Sequence, residues 1–177
     1  KKGEIREPFV AGQFYPASRS KLEATLKSFF SLASEEESSI AGVSPHAGYM
    51  YSGKTAAFTY ANLANSKTYV IIGPDHTGAS MGGNIAYPPG SWMTPLGEVE
   101  IDEEALGMLT DVVSVASYPH AHEHSIEVQI PFLQYGKKDF KIVPIIMGDQ
   151  SINSARLLGE TLASLDCVVI ASSDFSH

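Results

Sequence analysis

Three of the six histidines in this chain follow apolar runs that are typical of buried strands. They are His46, His76 and His177. Open α/β sheets bind their ligands at the carboxyl ends of parallel strands. Parallel strands would therefore bring these three imidazoles to one edge of a sheet.

The remaining histidines, His120, His122 and His124, lie close together in a polar segment that runs from Pro119 to Glu127. Such a loop has two alternatives, because it can approach the same sheet edge or lie in water. The residues alone leave that choice open.

Imidazole is a common metal ligand, and two histidines with one carboxylate form the iron site of many non-haem oxygenases. We assign His46 and His76 as the metal-binding pair. Asp174 and His177 stand three residues apart on a turn, which suits an acid–base pair in which the carboxylate orients the imidazole. The alternative is that these histidines cap turns through hydrogen bonds without any metal.

The elements that must position these residues alternate between strands and helices. Several strand candidates are apolar throughout, which is typical of strands covered on both faces. The fold class is therefore α/β, a mostly parallel or mixed central sheet with helices on both faces. The predicted strands are Ile40–Ser44, Tyr69–Ile72, Asn84–Tyr87, Val99–Ile101, Val112–Ala116, Lys141–Met147 and Cys167–Ala171, and the predicted helices are Ser20–Ala33, Lys54–Leu63, Glu103–Thr110, Ser125–Gln134 and Ser154–Leu165. Pro144 hints at an edge strand or a bulge.

Composition narrows the functional classes. The chain has 177 residues and a formal net charge of −8, which argues against nucleic acid as a partner. A single cysteine, Cys167, excludes an internal disulfide framework and a Cys-rich zinc site. No apolar run has the roughly 20 residues of a transmembrane helix. We expect one cytoplasmic domain over residues 1–177, and the end at His177, after a strand, indicates that the domain is incomplete at its C-terminus.

Five segments together resemble the Memo family, a component (protein B) of the AmmeMemoRadiSam gene grouping. They are Arg6–Pro16, Pro45–Tyr49, Gly73–His76, Glu123–Glu127 and Ser172–His177. The resemblance implies a fold similar to ring-opening extradiol dioxygenases of the LigB kind, with a phosphorylase/hydrolase-like architecture. It also implies AMMECR-like and radical-SAM proteins as partners, and animal relatives are described as mediators of cell motility.

The same resemblance implies roles for single residues. His46 and His76 would bind a metal, iron first, with copper or zinc as alternatives. His177 would be the catalytic base with Asp174 close by, and His124 would line the pocket. The third ligand of the family is a cysteine downstream of this chain. His120 and His122 fall outside the matching motif, so we interpret them as solvated loop residues.

Three functions compete at this point. The first is redox or dioxygenase-type chemistry on a small molecule. The second is a non-enzymatic binding protein or scaffold that holds a peptide or a phosphorylated partner segment in the same crevice, with a homo-oligomer as a further expectation. The third is hydrolysis by a serine near His177, and it is the weakest because none of the serines near His177 stands in a G-x-S-x-G motif.

Overall fold

The computed structural model describes residues 3–175, which form two β-sheets and five α-helices. The strands are β1 (Glu4–Arg6), β2 (Ala41–Ser44), β3 (Thr68–Pro74), β4 (Asn84–Ala86), β5 (Gly90–Thr94), β6 (Gly97–Glu100), β7 (Ser114–Val115), β8 (Lys141–Met147) and β9 (Val168–Ser172). The helices are α1 (Arg19–Phe30), α2 (Tyr49–Ala61), α3 (Glu103–Gly107), α4 (Ile130–Gly136) and α5 (Ile152–Leu162). Two 3₁₀ turns cover Tyr118–His120 and Glu127–Gln129.

The larger sheet has six strands in the order β2-β9-β3-β8-β4-β7. Strands β2, β9, β3 and β8 are parallel to one another, whereas β4 runs antiparallel to β8. A smaller sheet joins β1, β5 and β6. The structure therefore confirms an α/β fold with a mixed central sheet.

Both faces of the larger sheet are covered at β3, one of its inner strands. Tyr69, Val70 and Ile71 are consecutive and all fully buried. Because neighbouring residues of a strand point to opposite faces, consecutive burial requires cover on both sides. Helices α1, α2 and α4 pack against one another. Between α2 and α4 the rings of Tyr60 and Phe132 stack, with their centroids 5.1 Å apart.

The prediction that Pro144 marks an edge or a bulge is wrong, because β8 lies inside the sheet between β3 and β4. The Pro144 carbonyl accepts a hydrogen bond from the Tyr87 N–H, one residue beyond the last pair of β4, Ala86 with Ile145. The N and C=O of one strand residue point to the same side. The nitrogen of Pro144, which has no hydrogen to donate, therefore faces Tyr87, just beyond the end of β4. The β4–β8 ladder loses no hydrogen bond as a result.

The smaller sheet was only partly predicted, since β1 and β5 were not expected. Its central pairing brings the backbones of Glu4 and Gly90 together in register. Gly90 has a φ of +154°, and a Cβ there would collide with the Glu4 backbone. Only glycine fits at this contact.

The predicted helix over Ser125–Gln134 is instead a 3₁₀ turn followed by α4. Pro131 stands in the first turn of α4, where a missing N–H costs nothing. It therefore helps to start the helix.

The helices are short, and the longest, α2, has 13 residues. Among residues 3–175, none combines the length and the apolar character that crossing a bilayer would require.

Candidate metal centre

The parallel strands bring the predicted residues to one edge of the larger sheet. Ser44 at the end of β2 pairs with Ser172 at the end of β9, and β9 in turn pairs with β3. His46, His76 and Asp174 follow these three strands, so they share one edge, as the sequence predicted. The carboxyl ends of parallel strands are where α/β folds place their ligands.

Three imidazoles converge at this edge, from His46, His76 and His124. One ligand atom from each lies within 4.8 Å of the others, and this is the one such group of three or more metal-ligating side chains among the described residues. The ring centroids of His76 and His124 are 4.6 Å apart and nearly stacked, while the His46 ring stands edge-on to both. The loop that carries His124 therefore approaches the sheet edge, which settles the alternative that the residues left open. We call these three residues the histidine cluster.

The tautomer of His46 follows from its hydrogen-bond partner. The Ser172 hydroxyl donates to the Ser125 carbonyl at 2.7 Å, and a carbonyl can only accept. The Gln129 amide donates to the same hydroxyl at 2.8 Å. The single proton of the Ser172 hydroxyl is therefore already donated to the Ser125 carbonyl. The hydroxyl must accept from Nδ1–H of His46, which lies 2.9 Å away. This leaves Nε2 of His46 with the lone pair that a metal needs.

His76 is oriented in the same way by a carboxylate. Its backbone N–H and its Nδ1 contact the two carboxylate oxygens of Glu123 at 2.7 and 2.9 Å. The carboxylate accepts, so Nδ1 carries a proton, and in the neutral ring the lone pair lies on Nε2. Glu123 also lies 3.6 Å from Nδ1 of His124. A carboxylate that accepts the N–H of a ligating histidine is the usual outer partner in metal sites.

Electrostatics favour the neutral imidazole at His46 and His124. Burial is the main reason that the pKa of His46 falls to about 4; the Asp174 charge opposes it, and the other two histidines reinforce it. Burial likewise lowers the pKa of His124. Burial acts to raise the pKa of Glu123, but hydrogen bonds from Ser125 and His76 outweigh it, so that pKa lies below its ordinary value. The neutral imidazoles of His46 and His124, with the ionised carboxylate of Glu123 close by, suit a transition-metal ion.

Asp174 contacts His46 directly. It accepts the His46 backbone N–H at 2.6 Å, and its other oxygen lies 3.8 Å from His46 Nε2. Its predicted partner, His177, lies outside the described residues, so the acid–base pair stays a prediction.

The interpretation of His120 as a solvated loop residue is wrong, whereas His122 is exposed as expected. His120 is fully buried, and its ring lies edge-on to Tyr87 and Trp92. Its Nε2 donates to the Ile85 carbonyl at 3.0 Å. The reason is that the loop folds inwards against the smaller sheet.

The serine hydrolase alternative loses its best-placed residue. Ser172 is buried, and its hydroxyl proton is committed to a carbonyl, so no base can take that proton without breaking the network that holds His46. A cavity of about 380 Å³ does open beside His46 and His76. Its wall is mainly apolar, with Ile72, Met147 and Ala155 among the lining residues.

Sequence reasoning missed the residues that orient the cluster. Glu123 was part of a recognised motif, but it received no role. Its position next to a histidine in the sequence is the signal that could have suggested one. Ser172 and Gln129 carried no comparable signal, because their contacts join residues that are far apart in the chain.

Gly73 lets the histidine-bearing loop approach the sheet. A Cβ on Gly73 would overlap the Ser125 hydroxyl and lie 2.9 Å from the Ile126 side chain. We expect Gly73→Ala to lower the free energy of unfolding by about 1–3 kcal/mol in urea denaturation, the usual cost of overpacking. Gly159→Ala is the control, because nothing lies within 4 Å of that site in α5 and alanine favours a helix. Equal effects of the two changes would contradict the prediction.

Comparisons with known proteins agree with these motifs. The family model described as Memo-like protein matches residues 6–177. A MEMO1 family protein of Methanosarcina mazei is 49% identical over 183 residues, which cover 98% of this chain and 68% of that relative. Similar proteins of Methanosarcina acetivorans and Archaeoglobus fulgidus are 46% and 44% identical, with the same coverage of 98% and 68%. The chain therefore belongs to the Memo family.

Proposed function

We propose that this chain binds a transition-metal ion, iron first, and that the centre performs redox chemistry on a small molecule. His46 and His76 would hold the ion, and His124 lies close enough to be a further ligand. The observation that carries the proposal is the convergence of three imidazoles within 4.8 Å, two of them with Nδ1 already fixed by Ser172 and Glu123. Bound iron would supply one-electron chemistry and open positions for substrate, which imidazole and carboxylate ligands commonly support.

The protein's own groups would prepare the site. Ser172 and Glu123 hold two rings in the tautomer that offers Nε2, so little reorganisation is needed on binding. Asp174 borders the cavity and is the described carboxylate closest to His46, where it could receive a proton from a bound molecule. Iron is the metal that we favour, with copper and zinc as alternatives that the test below can identify.

The cavity also limits the substrate. Its volume of about 380 Å³ lies near the lower end of small-molecule sites. None of its described lining residues is Lys or Arg. Phosphate groups are usually recognised by such cations, so a neutral small molecule fits better than a phosphorylated segment.

The proposal predicts metal retention by the 177-residue chain. After anaerobic loading with metal and dialysis, we expect wild type to retain one equivalent of metal per chain, as measured by inductively coupled plasma mass spectrometry. His46→Ala and His76→Ala should retain roughly a tenth or less, since even outer partners of a metal site are worth 10–100-fold in affinity. His122→Ala is the matched control, because this histidine is exposed and stands outside the cluster.

Two outcomes would overturn the proposal. Wild type that retains no Fe(II), Cu(II) or Zn(II) above the level of the His46→Ala variant would remove the metal centre. Iron that binds but cannot be oxidised and reduced again without release, as followed by electron paramagnetic resonance, would remove the redox part.

A further inference from the structure

Arg6 joins three residues of one loop from the buried end of β1. Its Nε donates to the His120 carbonyl at 2.8 Å, and its Nη2 donates to the Glu123 carbonyl at 2.9 Å. Its Nη1 forms an ion pair with Glu127 at 2.8 Å, and the guanidinium lies 4.1 Å from the Trp92 ring centre. The guanidinium fork thus fixes the loop at its start, middle and end. We call the residues from His120 to Glu127 the histidine loop.

Glu127, the ion-pair partner of Arg6, also binds other residues near the N-terminus. Besides Arg6, its carboxylate accepts from the backbone N–H groups of Phe9 and Val10 at 2.9 Å and from the Tyr15 hydroxyl at 2.7 Å. The carboxylate is buried, and its two oxygens receive four donors. The segment from Arg6 to Tyr15 is therefore attached to the histidine loop at one carboxylate. We call this segment the N-terminal clamp.

The histidine loop carries this constraint into the cluster. Glu123, whose carbonyl is held by Arg6, places its side chain on His76 and close to His124. The clamp also reaches the cluster directly, because the Phe14 ring packs 4.7 Å from the His124 ring. Two of the three histidines thus contact either the N-terminal clamp or a residue that the clamp holds.

Resting on the function proposed above, we propose that Arg6 and Glu127 are positioning residues for the metal centre. They act through the Glu123 backbone, and they fix the rings of His76 and His124 without touching a ligand themselves. Arginine is required because its planar fork serves three acceptors at once, whereas the ammonium of lysine is compact and lacks that geometry.

The first test uses metal-free protein with ¹⁵N-labelled histidine. In wild type, a two-bond ¹H–¹⁵N NMR correlation spectrum of the imidazole rings should show His76 as a single Nδ1–H tautomer. In Arg6→Lys, we expect a mixture of His76 tautomers and a shifted His124 signal. Leu26→Ala is the control for general destabilisation, because Leu26 is a fully buried residue of α1. It should lower Tm and leave both histidine signals unchanged.

The second test measures Co(II) affinity and the visible spectrum of the bound ion. We expect Arg6→Lys to weaken Kd roughly 10–100-fold and to change the spectrum, as outer partners of metal sites usually do. Glu127→Gln serves if Arg6→Lys does not fold. It retains one oxygen acceptor and loses the charge, so it should show the same changes in a milder form.

Wild-type tautomers and Kd in a folded Arg6→Lys variant would overturn the inference. Equal changes in Leu26→Ala would overturn it as well, because the effect would then be general loosening. Failure of wild type to bind Co(II) would count against the proposed function instead, while the tautomer measurement would still decide the role of Arg6.

Discussion

Replacing Glu127 with alanine is expected to lower the free energy of unfolding by about 3–5 kcal/mol, the usual cost of removing one partner of a buried ion pair. The change leaves the Arg6 guanidinium buried with no counter-ion. It also removes the acceptor of two backbone N–H groups and of the Tyr15 hydroxyl. Unsatisfied donors in a buried place add their own desolvation cost. For a domain of ordinary stability, a loss of this size is a large share of the total.

Urea denaturation of the metal-free chain at pH 7.5 would measure this loss. Glu23→Ala is the matched control, because Glu23 also pairs with an arginine, Arg19, but on an exposed helix face. Such surface pairs contribute about 0–1 kcal/mol. A Glu127→Ala variant that loses no more than Glu23→Ala would show that the buried pair does not stabilise the N-terminal clamp.

His120 is expected to make the fold lose stability in mild acid. Burial is the main cause that lowers its pKa to about 3; the hydrogen bond to Ile85 opposes this, and the Arg6 charge adds to it. The unfolded chain takes up a proton on this residue near pH 6.5, its ordinary pKa. The folded chain does so only near pH 3, so the stabilisation is complete above pH 6.5 and is lost as the pH falls. The slope is about 1.4 kcal/mol per pH unit for one proton, or about 2 kcal/mol between pH 6.5 and 5.

His120→Gln should remove this part of the pH dependence, because glutamine does not titrate and can still offer an N–H to the Ile85 carbonyl. The free energies of unfolding of the variant and wild type, measured in a chelator from pH 7.5 to 4.5, should converge as the pH falls. His122→Gln, at an exposed position, should leave the wild-type slope unchanged. Parallel curves for His120→Gln and wild type would contradict the prediction.

The sequence predicted the central sheet well because its inner strands are covered on both faces. Such strands are apolar at every position, as in β3, and the signal needs no knowledge of partners. The strands of the smaller sheet gave a weaker signal. β1 has three residues and forms only because Gly90 permits a close backbone approach from far along the chain. Short strands whose stability comes from distant pairing cannot be seen in a local pattern.

The site divides along the same line. The convergence of His46 and His76 at one sheet edge could be predicted because each lies just beyond the end of a parallel strand. The burial of His120 could not be predicted, because it depends on Arg6 reaching across to the loop from the smaller sheet. Ser172 and Glu123 act by setting the tautomers of His46 and His76. Their roles could not be predicted because a tautomer follows from hydrogen-bond partners rather than from residue type.

The position of β9 has a consequence for the nascent chain. β9 lies between β2 and β3 in the larger sheet, and Ala41 pairs with Val169. Within the described sheet, β2 has no other neighbour. As the ribosome releases the chain, all three histidines of the cluster emerge before Ser172, the residue that sets the tautomer of His46. Such long-range pairing is slow to form. Assembly of the histidine cluster therefore follows the synthesis of β9, and any metal held by the proposed centre would bind only after that step.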